Sequence, residues 1–135
     1  MQQITYAQRL EGRFTPIGPG LADVALIATD ETPLGGGAVL ASQLAFATEQ
    51  SFREEGTITF ENGGALRFRT LGRGELIRSP AGGLRHGTAV LAVEGVGHLT
   101  GTRGRITSNF LVGDDGAVTD EQVAVLFIDE GGQAG

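Results

Sequence analysis

Two histidines, a single tyrosine and one strand of alternating polar residues are the groups in this 135-residue chain best suited to chemistry. His86 and His98 could serve as acid and base, because imidazole titrates near neutral pH. Both stand in turn-like surroundings, where a surface role is the plainer reading. Along Arg105-Ile106-Thr107-Ser108-Asn109-Phe110-Leu111-Val112, residues Arg105, Thr107 and Asn109 share one face. Pointed inward they would set hydrogen-bond donors in an apolar pocket; pointed outward they would meet water, and the pattern leaves both open. Tyr6 is either a phenolic donor at a pocket mouth or an aromatic lid.

Other chemistries are excluded by spacing. Gly95-Val96-Gly97-His98-Leu99-Thr100-Gly101 reads G-x-G-x-x-x-G with no helix behind it, so it is a tight turn and not a dinucleotide fingerprint. Neither histidine has a metal-ligand spacing, and the absence of cysteine removes disulfides, thiolate sites and a cysteine nucleophile, so no metal and no cofactor is expected. No serine lies in a G-x-S-x-G context. The acidic doublets Asp30-Glu31, Asp114-Asp115 and Asp129-Glu130 fall at turns or strand ends. Arg67 and Arg69 could project into a lumen and bind a carboxylate or enolate, but opposite a face of Phe60, Leu66, Ile58 and Phe68 they are expected in solvent.

Ten basic residues, all arginine, against sixteen acidic ones give a net charge of −6, which repels nucleic acid and anionic membranes. No segment approaches the ~18 apolar residues of a membrane span, and the first residues carry no signal-peptide pattern, so a cytoplasmic protein is the expectation. Residues 1–135 suit one domain. Met1 to Gln3 and Gly131 to Gly135 are expected to fray.

What must position these groups is a set of short strands, since 23 glycines cut the chain between β-branched and apolar runs. Residues 11–17 and 23–29 read as strands parted by Pro16-Ile17-Gly18-Pro19-Gly20. Residues 56–61 and 65–70 form a hairpin; a three-residue loop, Asn62-Gly63-Gly64 with Gly64 left-handed, pairs Phe60 with Leu66 and Ile58 with Phe68. The stretch from 38 to 55 has helical propensity, yet a strand from Leu40 to Gln50 puts Leu40, Ser42, Leu44, Phe46 and Thr48 on one face. Residues 88–93 and 123–128 are apolar on both faces, and Gly113-Asp114-Asp115-Gly116 turns one strand into the last.

Seven or eight strands without a helix must stack as two sheets or close on themselves, and closure removes exposed edges. The expected fold is all-β: a single closed antiparallel β-barrel of about eight strands. The doubly apolar runs suggest a homo-oligomer, because monomers seldom expose contiguous apolar patches. The segment Leu91-Ala92-Val93-Glu94-Gly95-Val96-Gly97-His98-Leu99-Thr100-Gly101-Thr102-Arg103-Gly104-Arg105-Ile106 resembles allene oxide cyclase barrel proteins and their dirigent-like relatives, over about 40 residues from Gly87 to Ile128. The resemblance implies an eight-stranded barrel, dimers or trimers, and a small apolar or polyketide-like molecule in the lumen. It transfers no catalytic residue of the plant cyclases to a position here. The functional expectation is a small-molecule-binding barrel, a cyclase or isomerase that shapes its substrate, with His86, His98, Tyr6, Arg105, Thr107 and Asn109 as ligand-binding candidates. The alternative is a non-catalytic oligomeric binding or accessory protein whose barrel is filled by side chains.

Overall fold

A computed structural model describes residues 1–129. Nine strands follow one another: β1 (Gln2–Gly18), β2 (Leu21–Thr32), β3 (Gly35–Thr48), β4 (Ser51–Phe60), β5 (Ala65–Thr70), β6 (Gly74–Arg78), β7 (Leu84–Val96), β8 (Thr102–Gly113) and β9 (Ala117–Ile128), with a 3-10 turn at Gly97–Leu99 before β8. Every pairing is antiparallel, and β1 also pairs with β9, which closes the sheet. β5 and β6 run in the same direction between β4 and β7, so they are two pieces of one stave. The result is an eight-stave up-and-down barrel with one stave broken at Leu71–Arg73. One end carries the turns after β1, β3, β6 and β8; the other carries the turns after β2, β4 and β7 and the start of β1.

Alternation along each strand separates lumen from outer wall. Leu10, Leu26, Leu40, Ile58, Leu66, Leu91, Ile106 and Leu126 are almost wholly buried and pack as one core. Two glycines show how the wall coils: a Cβ on Gly12 would lie 1.9 Å from Ala25 O, and one on Gly104 2.2 Å from Val125 O. Only a residue lacking that carbon lets the strands approach so closely.

The strand reading of residues 40–50 holds for Leu40, Ser42, Leu44 and Phe46, which face inward; β3 ends at Thr48, and Ser51 already belongs to β4. The β4–β5 hairpin keeps its expected faces but not its register. Ile58 lies opposite Leu66 and Gly56 opposite Phe68, and the loop is Glu61-Asn62-Gly63 with Gly63 at φ +92°. The Asn62 side chain selects this register, donating to Leu34 O at 2.7 Å and accepting from Gly64 N at 3.1 Å. Pro16 stays in the ladder opposite Ala22, beside a bulge, so the break after β1 is only Pro19-Gly20. Gln2 and Gln3 do not fray but pair with Ile128 and Phe127. Gly131 to Gly135 lie outside the described residues.

Candidate functional site

Among the described residues the polar Gln8, Glu54, Thr102, Ser108, Asp120 and Gln122 are buried at inward positions among the apolar ones, and Ser42 is half-buried on the same side. They come from opposite walls. On β1, β8 and β9, Gln8 Nε2 donates to Gln122 Oε1 at 3.4 Å, Gln122 Nε2 to Asp120 Oδ2 at 3.0 Å and Ser108 Oγ to Asp120 Oδ1 at 2.8 Å. On β3 and β4, Ser42 Oγ donates to Glu54 Oε2 at 2.6 Å. Cross-strand register explains the first chain, since Ser108, Gln122 and Gln8 stand side by side in one row.

The two carboxyl groups are 8% and 4% exposed and make no ion pair among the described residues. Burial pushes Glu54 up to about 7, against the lowering effect of Ser42, and the charge of Asp120 adds to the rise. Burial likewise pushes Asp120 up to about 6, opposed by the hydrogen bonds from Ser108 and Gln122 and assisted by the charge of Glu121. The Asp120 charge thus helps to hold the Glu54 proton.

Both groups line one lumen cavity with Phe14, Val24, Leu26, Leu44 and Phe110. It leaves about 10 Å³ for the centre of a water-sized sphere, about the room of a single water. Aromatic rings close that end: Phe14 meets Phe46 at 6.2 Å, Phe46 meets Phe52 at 5.7 Å, and Phe52 meets Phe110 at 5.9 Å between ring centroids. Arg85 lies 5.8 Å from the Phe14 centroid, a cation–π contact at the mouth. The Phe52 and Phe110 rings rest on Gly74 and Gly87, their cross-strand partners, where a Cβ would collide with them. A larger hollow, of about 910 Å³, is an open saddle on the outer wall over Ala25, Ala41 and Gly56, away from this pair.

Of the residues singled out from the sequence, only Tyr6 faces the lumen. Its phenol has no hydrogen-bond partner among the described residues, and burial pushes it up to about 12. Arg105, Thr107 and Asn109 are exposed on the outer wall, because Ile106, Ser108 and Phe110 take the inward positions of β8. That corrects the inward option for the polar set. His86 stands on the outer face of β7 between Ile77 and Leu111, and His98 is exposed in the 3-10 turn, next to Gly63 across the barrel end. The structure does not bring the two histidines together with Tyr6, and the described residues hold no group of three or more metal-ligating side chains.

Sequence reasoning passed over Glu54 and Asp120 because it weighed only acidic doublets at turns or strand ends, whereas Glu54-Glu55 and Asp120-Glu121 lie within strands. The available signal was parity: Asp120 and Gln122 sit in phase with Val118, Ala124 and Leu126, and Glu54 in phase with Phe52 and Ile58. No protein-family model, curated protein or solved structure matches this chain.

Proposed function

We propose that the protein is a small-molecule-binding β-barrel of the allene oxide cyclase-like kind, in which Glu54 and Asp120 exchange protons with a mainly apolar guest during an isomerisation or ring closure. The observation that supports this reading is the carboxyl pair itself. Two acids buried without a cation weaken a fold that needs only stability. Carboxyls tuned to titrate near neutrality are what acid–base chemistry requires. Gln8 Oε1 and Tyr6 Oη, both buried and without a hydrogen-bond partner among the described residues, supply an acceptor and a donor that a guest can satisfy. The apolar lining would hold one folded conformer of a flexible molecule, lowering the barrier by orientation. Repacking of the Phe14, Phe46 and Phe110 rings must enlarge the cavity before such a guest fits.

The test is a titration with 1-aminoanthracene, a neutral apolar fluorophore, followed by carboxyl and aromatic NMR resonances. Binding in the lumen shifts Glu54, Asp120 and Phe110 together and raises the dye's fluorescence. A second reading, a side-chain-filled accessory barrel without turnover, is favoured by the water-sized cavity. It prevails if those resonances stay fixed at millimolar dye. In both readings the protein assembles as a homo-oligomer through the outer faces of β7 and β9, where Val90 and Val123 are 37% and 50% exposed on either side of Thr107.

A further inference from the structure

The broken stave leaves an unpaired stretch in the barrel wall. β4 pairs with β5 from Glu55 onward and with β6 at Ser51 and Phe52, so the ladder skips Arg53 and Glu54. Glu54 N has turned instead to a side chain, donating to Thr70 Oγ1 at 3.2 Å, while Leu71 N bonds to Val90 O on the far side. Outside this interruption lies a groove of about 560 Å³ lined by Arg53, Glu54, Arg69, Thr70 and Leu71, among others. That volume suits a small organic molecule, whereas the ring-sealed end offers room for about one water.

Arg53 and Arg69 are exposed on the outer wall and project from neighbouring strands on the same face, since Glu55, two residues from Arg53, pairs with Arg69. Among the described residues neither guanidinium makes an ion pair within 4.0 Å. Glu55, between them in the ladder, is the single acidic side chain on the outer face of the groove. A guanidinium pair is a receptor for one carboxylate, and its planar fork holds such a group in a defined orientation.

We propose that the ligand enters through this lateral window and not through the barrel mouth: a small carboxylate with an apolar tail rests its anionic head on Arg53 and Arg69, while the tail passes Leu71 and Thr70 toward Glu54 in the lumen. The inference rests on the reading of the lumen as a proton-exchange site and adds the ligand's head group and its route.

The probe is octanoate, titrated into the intact protein and followed by amide NMR, with octanol as the neutral comparison. Octanoate is expected to shift the amides of Arg53, Glu54, Thr70, Leu71 and Gly72. The exposed variants Arg53→Gln and Arg69→Gln, whose folding is checked by their melting curves, should each weaken it tenfold or more, with octanol at least tenfold weaker on the wild type. Shifts confined to Phe14, Phe46 and Phe110 would overturn the window while leaving the lumen reading intact. Silence from octanoate, octanol and aminoanthracene alike would overturn both. Octanoate binding at the window that is unchanged in both arginine variants would overturn the head-group assignment.

Discussion

Glu54 on β4 and Asp120 on β9 rise from opposite sides of the barrel and line the same cavity, so that the charge of the second holds the proton of the first. Each carboxyl has its own serine, Ser42 for Glu54 and Ser108 for Asp120, at 2.6 and 2.8 Å. The serines pull both groups toward ionisation and burial pulls them away, and burial wins in both cases.

That balance sets the pH dependence of folding. Glu54 rises from 4.5 to about 7 and Asp120 from 3.8 to about 6, so the native state binds more protons than the unfolded chain across this interval. Stability from this pair is full below pH 4 and is lost as pH rises through 6 and 7. Urea midpoints should therefore fall between pH 5 and pH 8, and the double variant Glu54→Gln with Asp120→Asn should flatten the slope. A wild-type midpoint that climbs over this range would contradict the buried pair.

Ser42→Ala removes the hydrogen bond that lowers the Glu54 pKa. Carboxyl NMR titration should then place the Glu54 midpoint above its wild-type position, with Asp120 moved far less. An unchanged midpoint would mean that Ser42 does not stabilise the carboxylate.

The glycines at close approaches should separate sharply from those in open space. Gly12→Ala would put its methyl 1.9 Å from a backbone oxygen, whereas a Cβ at Gly18 meets nothing within 4 Å. The first should cost at least about 2 kcal/mol, as overpacking against rigid backbone does, and the second less than about 0.5 kcal/mol. Thermal melts of the two variants measure the difference.

Phe68 is buried between Gly56 and Val93, while the adjacent Arg67 is exposed between Thr57 and Glu94. Phe68→Asp would bury an unpaired charge and should abolish folding. Arg67→Gln should leave the melting temperature within a few degrees of wild type. Equal melts for the two would refute the assignment of faces on β5.

Val90→Glu combined with Val123→Glu places charge on the outer faces proposed to join subunits. Sedimentation velocity should show the wild type as a dimer or trimer and the variant as a single chain. A wild type that sediments as one copy at every concentration would remove the oligomer from the proposal.

Much of the architecture was legible in residue order. Glycine spacing and the apolar runs around Val90 and Val125 announced strands without helices, and edge avoidance argued for closure. The hairpin register was harder to read, because its choice rests on Asn62 reaching Leu34, a residue far away in sequence. Pro16 was misread as a break because proline lacks a donor, yet the bulge beside it absorbs that loss. The lumen site was legible only through parity: Glu54 and Asp120 look like ordinary surface acids until Phe52, Ile58, Val118 and Leu126 fix the inward phase. The cavity's size depends on how rings from β1, β3, β4 and β8 meet, which no local pattern encodes.

The pairing of β1 with β9 has a consequence for how the molecule is made. During synthesis β1 leaves the ribosome with one side of its backbone unsatisfied, and it must wait until the ninth strand has emerged. Until then the nascent sheet is an open template for misassembly. The ring of strands can close only once β9 has been made, so pauses in elongation between β8 and β9 should lower the soluble yield.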